Sequence, residues 1–252
     1  MLRLPHAAAI AALCTALHPA FAEPAAGKAR HARFLALGDS PPFRQEIRDG
    51  VRYELDPPSG SIPPREVIAR TAGKASAPVP LRLGRISPPV PVPPGVGPLQ
   101  LQQVGDNAEA APWVKFSHPE TGDFLVLLWR NPETGLWRDV KSLVVAEVPA
   151  GSARVVNLFP QPVRMLWGAE NMLLPAGATM VRAVPRDSPV PLRILTADAT
   201  GRLMRYYSGG VSANADERSL VVTYRADGEN PRRPLKVSIL REPALMPLEV
   251  PK

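Results

Sequence analysis

The sequence predicts an all-β fold, arranged as two tandem immunoglobulin-like β-sandwich domains. Three observations carry this expectation. First, 32 of the 252 residues are proline, against about 5% in ordinary proteins. Proline inside a helix removes a hydrogen bond and clashes with the preceding turn, so a helical bundle is excluded. Second, short apolar runs alternate with Pro, Gly, Asp and Asn, the rhythm of strands and tight turns. Third, Phe124–Arg130 can be laid over residues 219–225. Leucine, valine and arginine coincide, and Trp129 meets Tyr224. Each segment enters a turn, 131–135 or 226–231, that leads to another strand, as in a hairpin. The chain is 45% hydrophobic and 21% charged, which is too apolar for wholesale disorder.

Taken in order, residues 1–22 read as a signal peptide. Arg3 precedes a short apolar stretch, and Ala20-Phe21-Ala22 fits the small-x-small cleavage rule. The mature chain is expected to begin at Glu23, with a flexible segment over 23–30. The first sandwich spans 31–148, with strands expected at 33–37, 51–55, 79–86, 99–104, 113–116, 124–130 and 141–147. The 124–129 run is apolar on both faces, so it lies centrally or against another domain. Pro64 to Arg70 begins like a helix of at most two turns. Residues 87–98 form a proline-rich connection, read as a stiff linker or a proline-blunted sheet edge.

The second sandwich spans 149–245, after a break at Pro149-Ala150-Gly151-Ser152. Its strands are expected at 153–159, 163–167, 179–184, 192–196, 203–207, 219–225 and 235–240. The alternation is cleanest at 219–225, where Leu220, Val222 and Tyr224 share a face. Residues 246–252 form a C-terminal tail.

The residues exclude several chemistries. Cleavage removes Cys14, the only cysteine, so the mature chain offers no thiol chemistry, thiolate metal site or disulfide. It also removes one arginine and no acid, taking the formal net charge from +7 to +6. A basic secreted protein is drawn to anionic polymers and membrane surfaces. No run of five basic residues suggests nucleic acid, and no segment is long enough to span a membrane. Of four histidines only His31 and His118 survive cleavage, and neither has metal-ligand neighbours at zinc-site spacing. No cofactor fingerprint occurs.

Phe34 to Ser40 (FLALGDS) resembles the nucleophile block of the GDSL esterase/lipase family. Pro41 stands where that family has leucine, and no histidine follows His118 to supply the base a serine nucleophile needs. Gly38 to Pro42 therefore reads as a turn. Asp39, Asp49, Glu54, Glu120 and Asp123 are the acids considered for a glycosidase pair. Trp113, Trp129, Trp137, Trp167, Tyr206 and Tyr207 are the candidate ligand contacts, because aromatic faces stack on sugar rings when exposed. Alternation places Tyr206 and Tyr207 on opposite faces of one strand.

The phrases GVRYELDPP (50–58), GDFLVLLWR (122–130) and YRADGENPRRP (224–234) resemble a group of uncharacterised secreted proteins of Verrucomicrobia-type bacteria. That resemblance implies secretion and a β-rich fold. It carries no activity and no site. The expected role is a non-catalytic binding or structural module of the cell envelope, periplasmic or extracellular, whose partner is an envelope protein or polysaccharide. A carbohydrate-binding protein is the first alternative and a hydrolase the second.

Overall fold

The computed structural model describes residues 30–71, 74–93, 97–107, 110–186, 188–198 and 200–244. The expected signal peptide, residues 23–29 and the 246–252 tail lie outside them. The fold is all-β, with nineteen strands and no helix among the described residues. The N-terminal half holds β1 (Arg30–Leu37), β2 (Gln45–Arg48), β3 (Val51–Glu54), β4 (Glu66–Thr71), β5 (Lys74–Ala75) and β6 (Val79–Pro80). It continues with β7 (Val90–Val92), β8 (Leu99–Gln103), β9 (Val114–Phe116), β10 (Phe124–Arg130) and β11 (Val140–Ala146). The C-terminal half holds β12 (Ser152–Asn157), β13 (Val163–Trp167), β14 (Glu170–Leu174), β15 (Thr179–Ala183), β16 (Val190–Ala197), β17 (Leu203–Val211), β18 (Glu217–Arg225) and β19 (Leu235–Pro243).

The same strand order occurs twice. One N-terminal sheet runs β11-β10-β1-β7, and a C-terminal sheet runs β19-β18-β12-β15. Their opposing sheets run β5-β4-β8-β9 and β14-β13-β16-β17. In both halves the first strand pairs in parallel with the penultimate one, β1 with β10 and β12 with β18. The register extends the sequence match beyond these hairpins. Ala32 pairs with Phe124 as Ala153 pairs with Ser219, so Ala32-Arg33 falls on Ala153-Arg154. On the other side Ala146 falls on Arg241, and therefore Glu147 on Glu242.

Each sheet pair encloses its own core. Phe34, Phe124, Val126 and Leu128 pack with Val67 and Leu101 in the first. Val155, Met165, Trp167, Ile194 and Val221 fill the second. A third buried cluster joins the halves, with Leu35, Leu125 and Leu127 facing Val156, Leu220 and Val222. These are equivalent positions of the two repeats, so the halves meet through the same face of the same sheet, as in a two-fold dimer interface. This explains why β10 is apolar on both sides. Phe124, Val126 and Leu128 face the first core, while Leu125 and Leu127 face the other half.

The rim of this junction carries a buried ion cluster. Arg33 donates from Nε to Glu147 at 2.8 Å and from Nη2 to Glu242 at 2.7 Å. Arg218 reaches Glu147 at 3.0 Å and Glu242 at 3.1 Å. Burial opposes the Arg33 charge, but its hydrogen bonds and attraction to Glu242 and Glu147 outweigh this and hold the guanidinium protonated. Burial pushes the Glu147 carboxyl up, against the pull of Arg33 and Arg218.

Three local expectations change. The residues expected to start a helix at 64–70 form β4 instead. Val67 and Ala69 are buried in alternation and pair with Gln103 and Leu101 of β8, so core burial overrides the helix-like opening. The expected strand 79–86 stops at Pro80, because Gly84 takes a left-handed turn (φ 67°) and Arg85 bonds back to Arg82. Within the proline-rich stretch, Val90–Val92 is an edge strand on β1 with Pro91 exposed, a sheet edge closed by proline. The β2–β3 hairpin is an insertion without a counterpart in the second half. Its Asp49-Gly50 turn has positive φ at both residues, the geometry that matches strand twist.

Candidate binding clefts at the loop end

β1 ends at Leu37 and runs into Gly38-Asp39; β18 ends at Arg225 and runs into Ala226-Asp227-Gly228. These two exits meet across the junction. The Asp39 amide donates to Asp227 Oδ1 at 2.6 Å. The Asp227 and Gly228 amides donate to Asp39 Oδ2 at 3.1 and 2.9 Å. Lys236 Nζ contacts Asp39 Oδ1, and Arg130 Nε donates to Asp227 Oδ2 at 2.6 Å. Arg130 also reaches the carbonyls of Asp227 and Ser61. Two glycines permit this approach. A Cβ on Gly38 would stand 3.1 Å from Asp227 Oδ2, and one on Gly228 would stand 3.0 Å from the Asp39 Cβ.

The loop from Ala226 to Pro231 rises from this lock and divides two clefts. The first, about 600 Å³, lies where β17 meets β19. Tyr206 and Tyr207 line it, with Arg232, Arg233 and Lys236 and the acids Asp39 and Glu229. Lys236 is engaged by Asp39, so Arg232 and Arg233 outnumber Glu229. The second cleft, about 560 Å³, opens between the β10–β11 and β18–β19 turns. Its walls are repeat-equivalent pairs: Leu37 and Leu158, Trp129 and Tyr224, Arg130 and Arg225.

The six aromatic candidates separate into two groups. Trp137 and Trp167 are buried in the two cores. Trp113 packs against the first core, and its indole donates to the Trp137 carbonyl at 2.5 Å. Trp129, Tyr206 and Tyr207 are partly buried, Trp129 against the junction cluster and the tyrosines against the second core, and they also line the clefts at the loop end. Strict alternation would separate the two tyrosines. The register shifts between Ile194 and Leu195, which pair with Tyr207 and Arg205. Tyr206 is the extra residue of this β-bulge, a device that re-aims a side chain, and both rings reach the same cleft. Gly209 makes room for Tyr207, whose hydroxyl lies 2.3 Å from where a Gly209 Cβ would be.

Ser40 also lines the first cleft, but neither histidine of the described residues serves it. His31 sits at the far end of β1, roughly 25 Å away at about 3.3 Å of rise per residue. His118 stacks on Phe124, itself paired with Ala32 at that same far end. The Asp39–Asp227 pair brings two carboxylates together at the loop end, yet all four of their oxygens hold amides or cations. No group of three His, Cys, Asp or Glu suited to a metal occurs among the described residues. No protein-family model matches the chain, and comparison with curated proteins gives no match.

Sequence reading quoted the 224–234 phrase and both aspartates without bringing them together. Arg130 and Arg225 coincide in the repeat, but repeat equivalence alone does not fix how the two halves face each other, so the meeting of the two turns is a finding of the structure.

Proposed function

We propose that the protein is a non-catalytic binding module of the bacterial cell envelope, secreted behind a signal peptide cleaved after Ala22. In this reading two tandem immunoglobulin-like sandwiches are fused face to face into one rigid body. Its loop end holds the ligand. The observation that carries the reading is the Asp39–Asp227 lock. It holds the Asp39 and Asp227 carboxylates on amides, Arg130 and Lys236 while it anchors a loop that walls two clefts, so that each cleft keeps a single uncommitted acid among the described residues, Glu229 in the first and Glu133 in the second. A hydrolase is not favoured, because glycoside hydrolysis needs two carboxyl groups flanking one bond, and each cleft offers a single uncommitted acid.

Among binding readings, the pairing of Tyr206 and Tyr207 in one cleft favours a carbohydrate. Two tyrosine rings beside Arg232 and Arg233 suit an acidic sugar chain, with rings stacking on apolar sugar faces and guanidinium groups meeting carboxylates. The test is calorimetric titration of the mature protein with oligogalacturonate and with a neutral malto-oligosaccharide of equal length. The acidic chain is expected to bind, and Arg232→Ala together with Arg233→Ala should abolish binding without altering thermal unfolding, because both side chains are exposed. Equal behaviour of the double variant and the parent contradicts this placement.

A further inference from the structure

The outward face of the β14-β13-β16-β17 sheet carries an unneutralised pattern. Residues paired across antiparallel strands share a face. One cross-strand row reads Leu173, Arg164, Leu195, Arg205, and the next reads Asn171, Leu166, Arg193, Ser208. Leucine and arginine therefore alternate both along and across the strands. Leu203, paired with Ala197, extends the face at the β17 edge. Arg164, Arg193 and Arg205 are exposed, and among the described residues their guanidinium groups enter no hydrogen bond or ion pair. Leu173 is 61% and Leu203 49% exposed. A shallow groove of about 440 Å³ runs between Leu166, Arg193, Leu203 and Arg205.

The outward positions of these four strands, as described, carry no acid. Of the acids at the margin of this face, Glu170 pairs with Arg182 at 3.4 Å, and Asp198 Oδ1 accepts from the Thr200 hydroxyl and the Thr200 and Arg202 amides in the β16–β17 turn, so neither bonds one of the three arginines. The arginines that the fold buries, Arg33, Arg130 and Arg218, are each neutralised by an acid. Like charges left on neighbouring strands repel, and a sequence retains such a conflict where a partner relieves it.

We propose that this face docks on an anionic lipid surface. Arginine forks match phosphate oxygens and stay protonated at any physiological pH. Exposed leucines add nothing toward a hydrated polyanion, whereas at a bilayer they enter the acyl boundary while the arginine heads meet phosphates. The interleaving of both types on one broad sheet face therefore favours a lipid headgroup layer over a soluble acidic polymer. The groove on this face shares no lining residue with the loop clefts, so its variants can be read apart from the proposed sugar ligand.

The test is co-sedimentation of the mature protein with vesicles of phosphatidylglycerol mixed with phosphatidylcholine, and with phosphatidylcholine alone. Binding is expected only to the anionic vesicles. Replacing Arg164, Arg193 and Arg205 together by serine should weaken it on the order of a hundredfold, since each contributes several-fold at a charged surface. Leu173→Ser with Leu203→Ser should weaken vesicle binding several-fold while leaving retention on dextran sulfate unchanged. Unaltered thermal unfolding of both variants keeps the comparison valid, because all five positions are on the surface. Equal binding to neutral vesicles, or no loss in the arginine variant, overturns the proposal. Dextran sulfate binding that matches vesicle binding, with no effect of the leucine pair, also overturns it and assigns the face to an acidic polymer.

Discussion

Asp39 and Asp227 bond each other's backbone reciprocally across 188 positions of sequence, each side chain accepting the other's amide. The reciprocal pair holds only where the two chain exits are in register, at the end of the junction where Arg130 and Lys236 also cross between the halves. Replacing either aspartate by alanine leaves amides unpaired and, for Asp227, the buried Arg130 without its counter-charge. The expected cost is about 3 kcal/mol, or a fall in Tm of roughly 6–12 °C. Denaturant unfolding of the single and double alanine variants checks this. The double variant should cost well under the sum, because the pair acts as a unit.

The second junction cluster behaves differently. Arg33→Met alone leaves Glu147 and Glu242 short of a cation and should cost about 3–5 kcal/mol. Changing Arg33 and Arg218 to Met and Glu147 and Glu242 to Leu removes every charge together. That variant is expected to unfold at higher denaturant concentration than Arg33→Met, despite carrying four substitutions.

Tyr224 offers a pH readout of the junction. Burial, aided by the Asp227 charge, raises its phenol above the usual 10.0. A raised acid stabilises the fold below its unfolded pKa, and that contribution is lost as pH rises through the folded value. Alkaline titration followed by ultraviolet absorbance should show a late tyrosinate step coinciding with loss of structure. Tyr224→Phe is expected to lack that step and to lose less stability above pH 10.

Residues 150–252 contain one complete set of eight strands and one core, so the fragment is expected to give dispersed β-type amide signals. Separation exposes Val156, Leu220 and Val222 and strips Arg218 of Glu147. The fragment should therefore melt below the full mature chain, and Leu220→Lys with Val222→Lys should lessen its self-association. A collapsed spectrum would mean that neither half folds without the other.

Period-2 alternation made β18 and β19 legible, since one buried face needs only i, i+2 spacing, while β10 was legible as a continuous apolar run buried on both faces. The short strands β5, β7 and β14 escaped because two to five residues carry too little pattern to separate from turns. β4 was misread because Pro64 before Arg65 and Glu66 imitates a helix start, and only pairing with β8 reveals its alternation. At the clefts, the importance of Tyr206 and Tyr207 was visible as aromatic character, but their shared direction depends on a one-residue bulge opposite Ile194 and Leu195. The meeting of Asp39 with Asp227 was not legible at all. It arises from the face-to-face packing of two sheets, which no local pattern encodes.

The central claim is that the loop end binds without turnover. It is tested most directly by adding the mature protein to polygalacturonate while recording amide NMR shifts and, in the same samples, polymer length by size-exclusion chromatography. The account expects shifts clustered at Tyr206, Tyr207, Arg233 and the neighbouring 226–231 loop, with polymer length unchanged after prolonged incubation. Shortening of the polymer, or an absence of shifts at that cleft, would contradict it.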